Sequence, residues 1–267
     1  MSKILHSIII PHRNRVDNLA DCLESIARSA AMSPEPVPSF EVIVVDDIIG
    51  IDTDTSGGFC DAMNYHRCFA RLCCAMNAPP IFNKPKSLNI GIEAARGRYI
   101  TFLDADAIVG PLFLASAPLA RHFTRLCYRV RYVPADYGRT AEDYHNAFMD
   151  YDNLARGYEG YGIVDRNPVK DQCPGNWKPS ERFGNSQFTI ERKKLGRLRF
   201  DEAYAGRGFS DLEFIRRIVR HHGPDYTAGV LTQWQCAMIH RRHEYGDDWE
   251  TPETTSENRK RYKDDVL

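Results

Sequence analysis

Three short apolar runs, each stopping on a polar cluster, constrain this 267-residue chain more than any other feature. Ser7–Pro11 leads into His12, Arg13, Asn14 and Arg15. Phe40–Val45 leads into Asp46 and Asp47, and Tyr99–Leu103 into Asp104, Ala105 and Asp106. Between the runs lie segments of helical spacing: Asp17–Ser29, with Leu19, Cys22, Leu23 and Ile26 on one stripe, and Ser87–Ala95. A further strand is expected over Leu72–Met76. Continuous apolar strands alternating with helices predict an α/β chain, a mostly parallel sheet covered on both faces. Ligands of such sheets bind beyond the carboxyl ends of the strands, so the three polar clusters should converge on one edge.

Composition removes several classes of function. The formal net charge is −1, so no global field recruits nucleic acid or anionic membrane, and binding has to come from a local site. The longest uncharged stretch, 107–120, contains two prolines and falls short of the ~20 residues that span a bilayer. No transmembrane segment is expected, though peripheral membrane association stays open. The N-terminus is too short and interrupted for a signal peptide. The eight cysteines (22, 60, 68, 73, 74, 127, 173 and 236) show neither paired metal-ligand spacing nor a simple disulfide framework, which suits free thiols and a cytoplasmic location.

Asp104 and Asp106 are one residue apart. Successive side chains of a strand point to opposite faces, so both carboxylates are expected to share a face while Leu103 and Ala105 turn away. Mn²⁺ or Mg²⁺ takes carboxylate oxygen together with substrate phosphate and needs few protein ligands. Aspartate is also a common turn residue, so spacing alone leaves the two readings level.

The strings IIPHRNR (9–15), FNKPKSLNIG (82–91) and FLDADAIVGP (102–111) resemble the nucleotide-binding half of the GT-A glycosyltransferases. They are most similar to the β-1,4-galactosyltransferase group and its bacterial, family-2-like relatives. The segment 183–218 is similar in layout to that group's acceptor and catalytic segment. The resemblance implies a GT-A, Rossmann-like sheet flanked by helices, with a smaller acceptor-side subregion. It divides into a nucleotide-sugar-binding half over 1–115, an acceptor-binding and catalytic half of the same domain over 116–246, and a polar tail over 247–267. The activity implied is metal-dependent, inverting transfer of a hexose or N-acetylhexosamine from a UDP-sugar to a glycan or other hydroxyl acceptor, with UDP-galactose or UDP-N-acetylgalactosamine favoured. The alternative is a catalytically silent sugar-nucleotide or glycan-binding protein of the same fold.

By the same resemblance Pro11, Arg13 and Arg15 lie by the uridine and phosphates, a task suited to planar, permanently charged guanidinium groups. Asp47 accepts from the base or ribose, and Lys86 holds phosphate at its helix start. Asp106 is the principal metal ligand, and Asp104 reaches the ribose or the metal through water. The third ligand is expected at His240, at the end of the strand-like run 233–240, with His243 in reserve. Asp211 takes the place of the catalytic base. The competing account of that segment is a capping box between Ser210 and Glu213, with Asp211 merely favouring the helix dipole and kept ionised by it. Where the galactosyltransferases carry tryptophans and an acid around the acceptor, this chain has Ala205, Arg207 and Ser210. Arg207 and Ser210, with Trp177 as a sugar-stacking ring, are the candidate acceptor contacts. Thr140–Ala155 reads as a helix, and the tail after Asp247 as a solvated extension or weakly docked lid.

Overall fold

The structure is a computed structural model that describes residues 4–32, 37–47, 70–74, 81–128, 130–133, 138–140, 142–144, 187–206, 208–231, 238–241 and 252–264. The strands are β1 (His6–His12), β2 (Phe40–Asp46), β3 (Ala70–Cys74), β4 (Tyr99–Phe102), β5 (Ala107–Val109), β6 (Arg125–Tyr128), β7 (Val130–Val133), β8 (Phe188–Glu191), β9 (Ala228–Leu231) and β10 (Met238–Arg241). The longer helices are α1 (Val16–Met32), α2 (Lys84–Ala94), α3 (Ser210–His222) and α4 (Pro252–Asp264). The main sheet has the order β3-β2-β1-β4-β8-β6-β9. Its first four strands are mutually parallel and β8 runs against both neighbours, giving the expected mostly parallel α/β sheet.

Alternation along the strands sends side chains to two cores. Ile8, Ile10, Val42 and Val44 pack under the Leu19, Cys22, Leu23 and Ile26 stripe of α1. Ile9, Ile43 and Val45 face the other way, toward Leu88 and Ile92 of α2 and Phe214, Ile215 and Ile218 of α3. Gly91 lets α2 lie close to β1, because a Cβ there would collide with Ile9 Cγ2.

Strand β1 runs on through Pro11 to His12, one residue beyond its expected end. Odd-numbered residues of β1 turn their backbone groups toward β4, as the bond from Leu103 N to Ile9 O (3.0 Å) shows. Pairing with β4 ends at Ile9, so the missing N–H of Pro11 falls past the last rung and costs no ladder bond. Helix α2 starts at Lys84, three residues before the expected Ser87. Its cap is Asn83, whose side chain accepts from Lys86 N at 3.0 Å, and Pro85 sits in the first turn. Strand β3 is Ala70–Cys74 rather than Leu72–Met76. Of the expected 140–155 helix, residues 142–144 are helical, and 145–155 lie outside the described residues.

The tail departs from a solvated extension, one of its two expected forms. Pro252–Asp264 is a docked helix: Asn258 and Tyr262 are buried, and Asn258 Nδ2 donates to Ala205 O at 2.8 Å. Tyr262 packs on Phe209 (5.2 Å between ring centroids), with the Arg216 guanidinium 4.2 Å over its ring. A polar helix with two inward residues four apart docks through that narrow stripe. Among the described residues no helix is long and apolar enough to cross a membrane.

Candidate active site

Strand β4 stops at Phe102, and Asp104 to Asp106 form a turn, closed by Ala107 N donating to Asp104 O (3.1 Å), before β5 begins. The strand-alternation argument therefore does not bring the carboxylates together; the turn does. Helix α1 fixes its exit, since Ser25 Oγ accepts from Val109 N at 3.0 Å. In a second, three-stranded sheet, β5-β10-β7, the register sets His240 opposite Ala107 and so beside the turn. One ligand atom each from Asp104, Asp106 and His240 lie within 4.8 Å of one another. His240 Nε2 is 3.2 Å from Asp106 Oδ1, and Arg15 Nη1 is 3.6 Å from Asp106 Oδ2. Two carboxylates and one imidazole fit a divalent ion that accepts both oxygen and nitrogen donors, as Mn²⁺ does, with positions left for phosphate oxygens.

Lys84 joins this turn to the candidate base. Its Nζ lies 2.7 Å from Asp104 Oδ1 and 3.5 Å from Asp211 Oδ2. Burial opposes the Lys84 charge, yet Asp104 and Asp211, with a direct bond to Asp104, carry its pKa upward. Burial pushes the Asp211 carboxyl up; Lys84 opposes that and Asp104 adds to it. Lys84 favours the charged form of Asp211 against burial, and Asp211 also lies in the first turn of α3, where the helix dipole acts in the same sense. The other oxygen of Asp104 accepts from Gln187 Nε2 at 3.3 Å.

The capping-box account of Asp211 does not hold. Phe209 is the N-cap of α3, in the left-handed region at φ 67°, with no side-chain cap, and Ser210 is already the first helical residue. Glu213 instead pairs with Arg217 at 2.5 Å. A ring of aromatics fixes α3 to β4, the strand that leads into the aspartate turn. Phe102 meets Phe188 at 5.0 Å and Phe200 at 5.2 Å, and Phe200 stacks on Phe214 at 3.8 Å.

The donor-side candidates form a neighbouring cluster. Arg13 is buried, its Nη1 3.5 Å from Asp47 Oδ2, and Asp47 also accepts from Asn83 N at 3.1 Å. Burial raises the Asp47 carboxyl, opposed by the Asn83 bond and by Arg13 and Lys86. Pro11 is buried in β1, and Ser210 is buried at the start of α3. His243, Arg207 and Trp177 lie outside the described residues. Sequence reasoning missed Lys84, Asn83 and Gln187. Asparagine followed by lysine and proline signals a helix start, and reading it so would have put Lys84 in the first turn.

The model of the family described as glycosyl transferase family 2 matches residues 7–61 and 81–177, more than half of the chain. The chain belongs to that family. The match stops before Asp211 and His240, so their places rest on the geometry above. "Glycosyltransferase GlyG" of Streptococcus pneumoniae serotype 4 is 32% identical over 109 residues, covering 41% of this chain and 32% of that protein. The S. aureus TarS 1-349 complex with UDP-GlcNAc aligns at TM-score 0.60 and 16% identity, covering 98% of this chain and 66% of TarS 1-349. Glucosyl-3-phosphoglycerate synthase from Mycobacterium tuberculosis, with Mn²⁺, UDP and phosphoglyceric acid, aligns at 0.51 and 18%, covering 90% and 72%. At these identities the two structures establish the GT-A fold that this family-2 chain shares. The chain spans about a third of GlyG and about two thirds of TarS 1-349.

Proposed function

We propose that the chain transfers a hexose or N-acetylhexosamine from a nucleoside diphosphate, UDP being the favoured carrier, to a hydroxyl of a glycan or another acceptor, inverting the anomeric carbon. The observation that carries this reading is the gathering of Asp104, Asp106 and His240 on one sheet edge, with Asp211 tied to the same turn through Lys84. Residues 1–115 would bind the donor, 116–246 would bind the acceptor and supply the base, and the 247–267 tail would brace the acceptor loop.

Arg13, Arg15 and Lys86 offer positive charge to the diphosphate, and Asp47 accepts from the base or ribose. Asp106 and His240 would hold Mn²⁺, with Mg²⁺ second, and Asp104 would reach the ribose or the ion through water. A divalent cation there supplies neutralising charge for the diphosphate as it leaves. Asp211 takes the proton of the acceptor hydroxyl while its oxygen bonds to the anomeric carbon. The bond from that carbon to the diphosphate breaks, and the diphosphate departs with the electron pair. A carboxylate whose affinity for protons is raised by burial suits that task.

The UDP-GlcNAc complex of TarS and the UDP complex of the glucosyl-3-phosphoglycerate synthase support a UDP-linked donor. These relatives handle UDP-GlcNAc and a glucosyl group rather than galactose, so the test uses UDP-linked galactose, N-acetylgalactosamine, glucose and N-acetylglucosamine. Each is incubated with Mn²⁺, without acceptor, and free UDP is measured. Slow release from one donor, abolished by EDTA and by Asp106→Asn, is the expected result. Binding of a donor with no release, and no transfer to any hydroxyl compound, would overturn the enzymatic reading in favour of a silent binding protein.

A further inference from the structure

Lys84 is an expensive residue to place where it is. Lysines usually keep the ammonium in water, but this side chain is only 12% exposed, and its charge sits in the first turn of α2, against the helix dipole. Local helix electrostatics would favour an acid there. What compensates lies across the edge: Asp104 on one side, at 2.7 Å, and Asp211 on the other, at 3.5 Å. The backbone of Lys84 is also fixed, between its cap Asn83 and Pro85, and Asn83 is itself held by Asp47 and by Glu202 O, which accepts from Asn83 Nδ2 at 2.9 Å. Asp104 is one of the three residues whose ligand atoms converge, so Lys84 and a divalent cation would draw on the same carboxylate.

We propose that Lys84 is a built-in counter-cation, which holds Asp104 until a divalent ion and a nucleotide diphosphate arrive together and thereafter orients Asp211 toward the acceptor. This rests on the glycosyltransferase reading for the role of Asp211, but the metal-binding consequence stands apart from it. A fixed positive charge against a ligand carboxylate repels a second cation, and the diphosphate supplies the negative charge that lets both remain. The bare ion therefore binds weakly, and nucleotide and metal bind with positive coupling. Lys84 is a positioning residue, since it acts through the two aspartates.

The test is Mn²⁺ binding without nucleotide, followed by the loss of the free-ion electron paramagnetic resonance signal, on the full chain. Lys84→Met should bind Mn²⁺ at least about tenfold more tightly than wild type, the scale of one pK unit of interaction between close charges. Lys84→Arg, which keeps the charge, should stay near wild type. Lys86→Met loses the same charge from the same turn and should shift affinity less than about threefold. Lys84→Gln replaces Lys84→Met if the latter fails to melt cooperatively. A folded variant with unchanged or weaker Mn²⁺ binding overturns the proposal, because a purely structural lysine would lower affinity when lost. So would equal tightening by Lys86→Met, which would mean bulk charge rather than contact. If the affinities follow the expected order while no variant, wild type included, releases UDP from any donor, the counter-cation survives and the enzymatic reading fails.

Discussion

His6 makes the fold acid-sensitive beneath the candidate site. It lies fully buried in β1, with Nε2 2.7 Å from Thr101 Oγ1 in β4; that hydroxyl continues a chain through Thr189 to Tyr128 OH. Burial lowers its pKa to about 3, and Nδ1 meets no hydrogen-bond partner among the described residues, so a doubly protonated ring would bury an unmet N–H. The folded pKa lies below the unfolded value near 6.5, so below that pH the unfolded chain binds the extra proton. Stability is complete above 6.5 and falls as the pH drops toward 3. With the folded ring titrating at about 3, linkage removes about 2 kcal/mol by pH 5, or roughly 4 °C in Tm for a chain of this size. His6→Gln keeps a partner for Thr101 without titrating. Thermal melts of both proteins between pH 7.5 and 5 should show the wild type losing about that much more than the variant. Parallel curves, or a wild-type imidazole that protonates near pH 6 by NMR, would refute the reasoning. The result also sets a practical bound, because activity profiles that probe Asp211 below pH 6 must be corrected for unfolding.

Asp211→Asn should leave melting temperature and UDP affinity within error while turnover at saturating substrate falls about 10²–10⁴-fold, the usual share of a general base; near-native turnover would remove that role. For the docked tail, Tyr262→Ala loosens Phe209 and the loop before Asp211. Steady-state kinetics should show a lower kcat or a higher acceptor KM, with UDP binding unchanged, and a uniform loss that tracks melting temperature would reduce α4 to a stabilising element.

The sheet was legible because its strands carry their own signature. Phe40–Val45 and Tyr99–Leu103 are apolar runs that can only be satisfied between two covered faces, and α1 shows its stripe directly. The ends of elements were less visible. Helix α2 was read from its apolar positions, although its start is written in Asn83 and Pro85, and that offset hid Lys84. The structure brings Asp104, Asp106 and His240 together, but the turn rather than strand alternation unites the aspartates. Gln187 gave no local signal: its role comes from β8 pairing antiparallel with β4, a contact between residues about 90 positions apart. The helix of the tail was hard to see because Asn258 and Tyr262 are its only deeply buried side chains among the described residues, too few to raise a helical period above a charged background.

The candidate base and the candidate metal turn are held together twice, by forces of different character. Phe102, Phe188, Phe200 and Phe214 interlock β4, β8, the 200 loop and α3, which fixes where α3 sits relative to the aspartates. Such packing is indifferent to charge. Lys84 adds what packing cannot, a directional contact with the Asp211 carboxylate that favours its charged form where burial disfavours it. Catalysis by proximity tolerates displacements of only a fraction of an ångström, so both are needed. The chain that leads to α3 is held as well: Tyr204 is fully buried, Gly206 N donates to Phe82 O at 2.8 Å, and Ala205 O accepts from Asn258 Nδ2 of the docked tail at 2.8 Å.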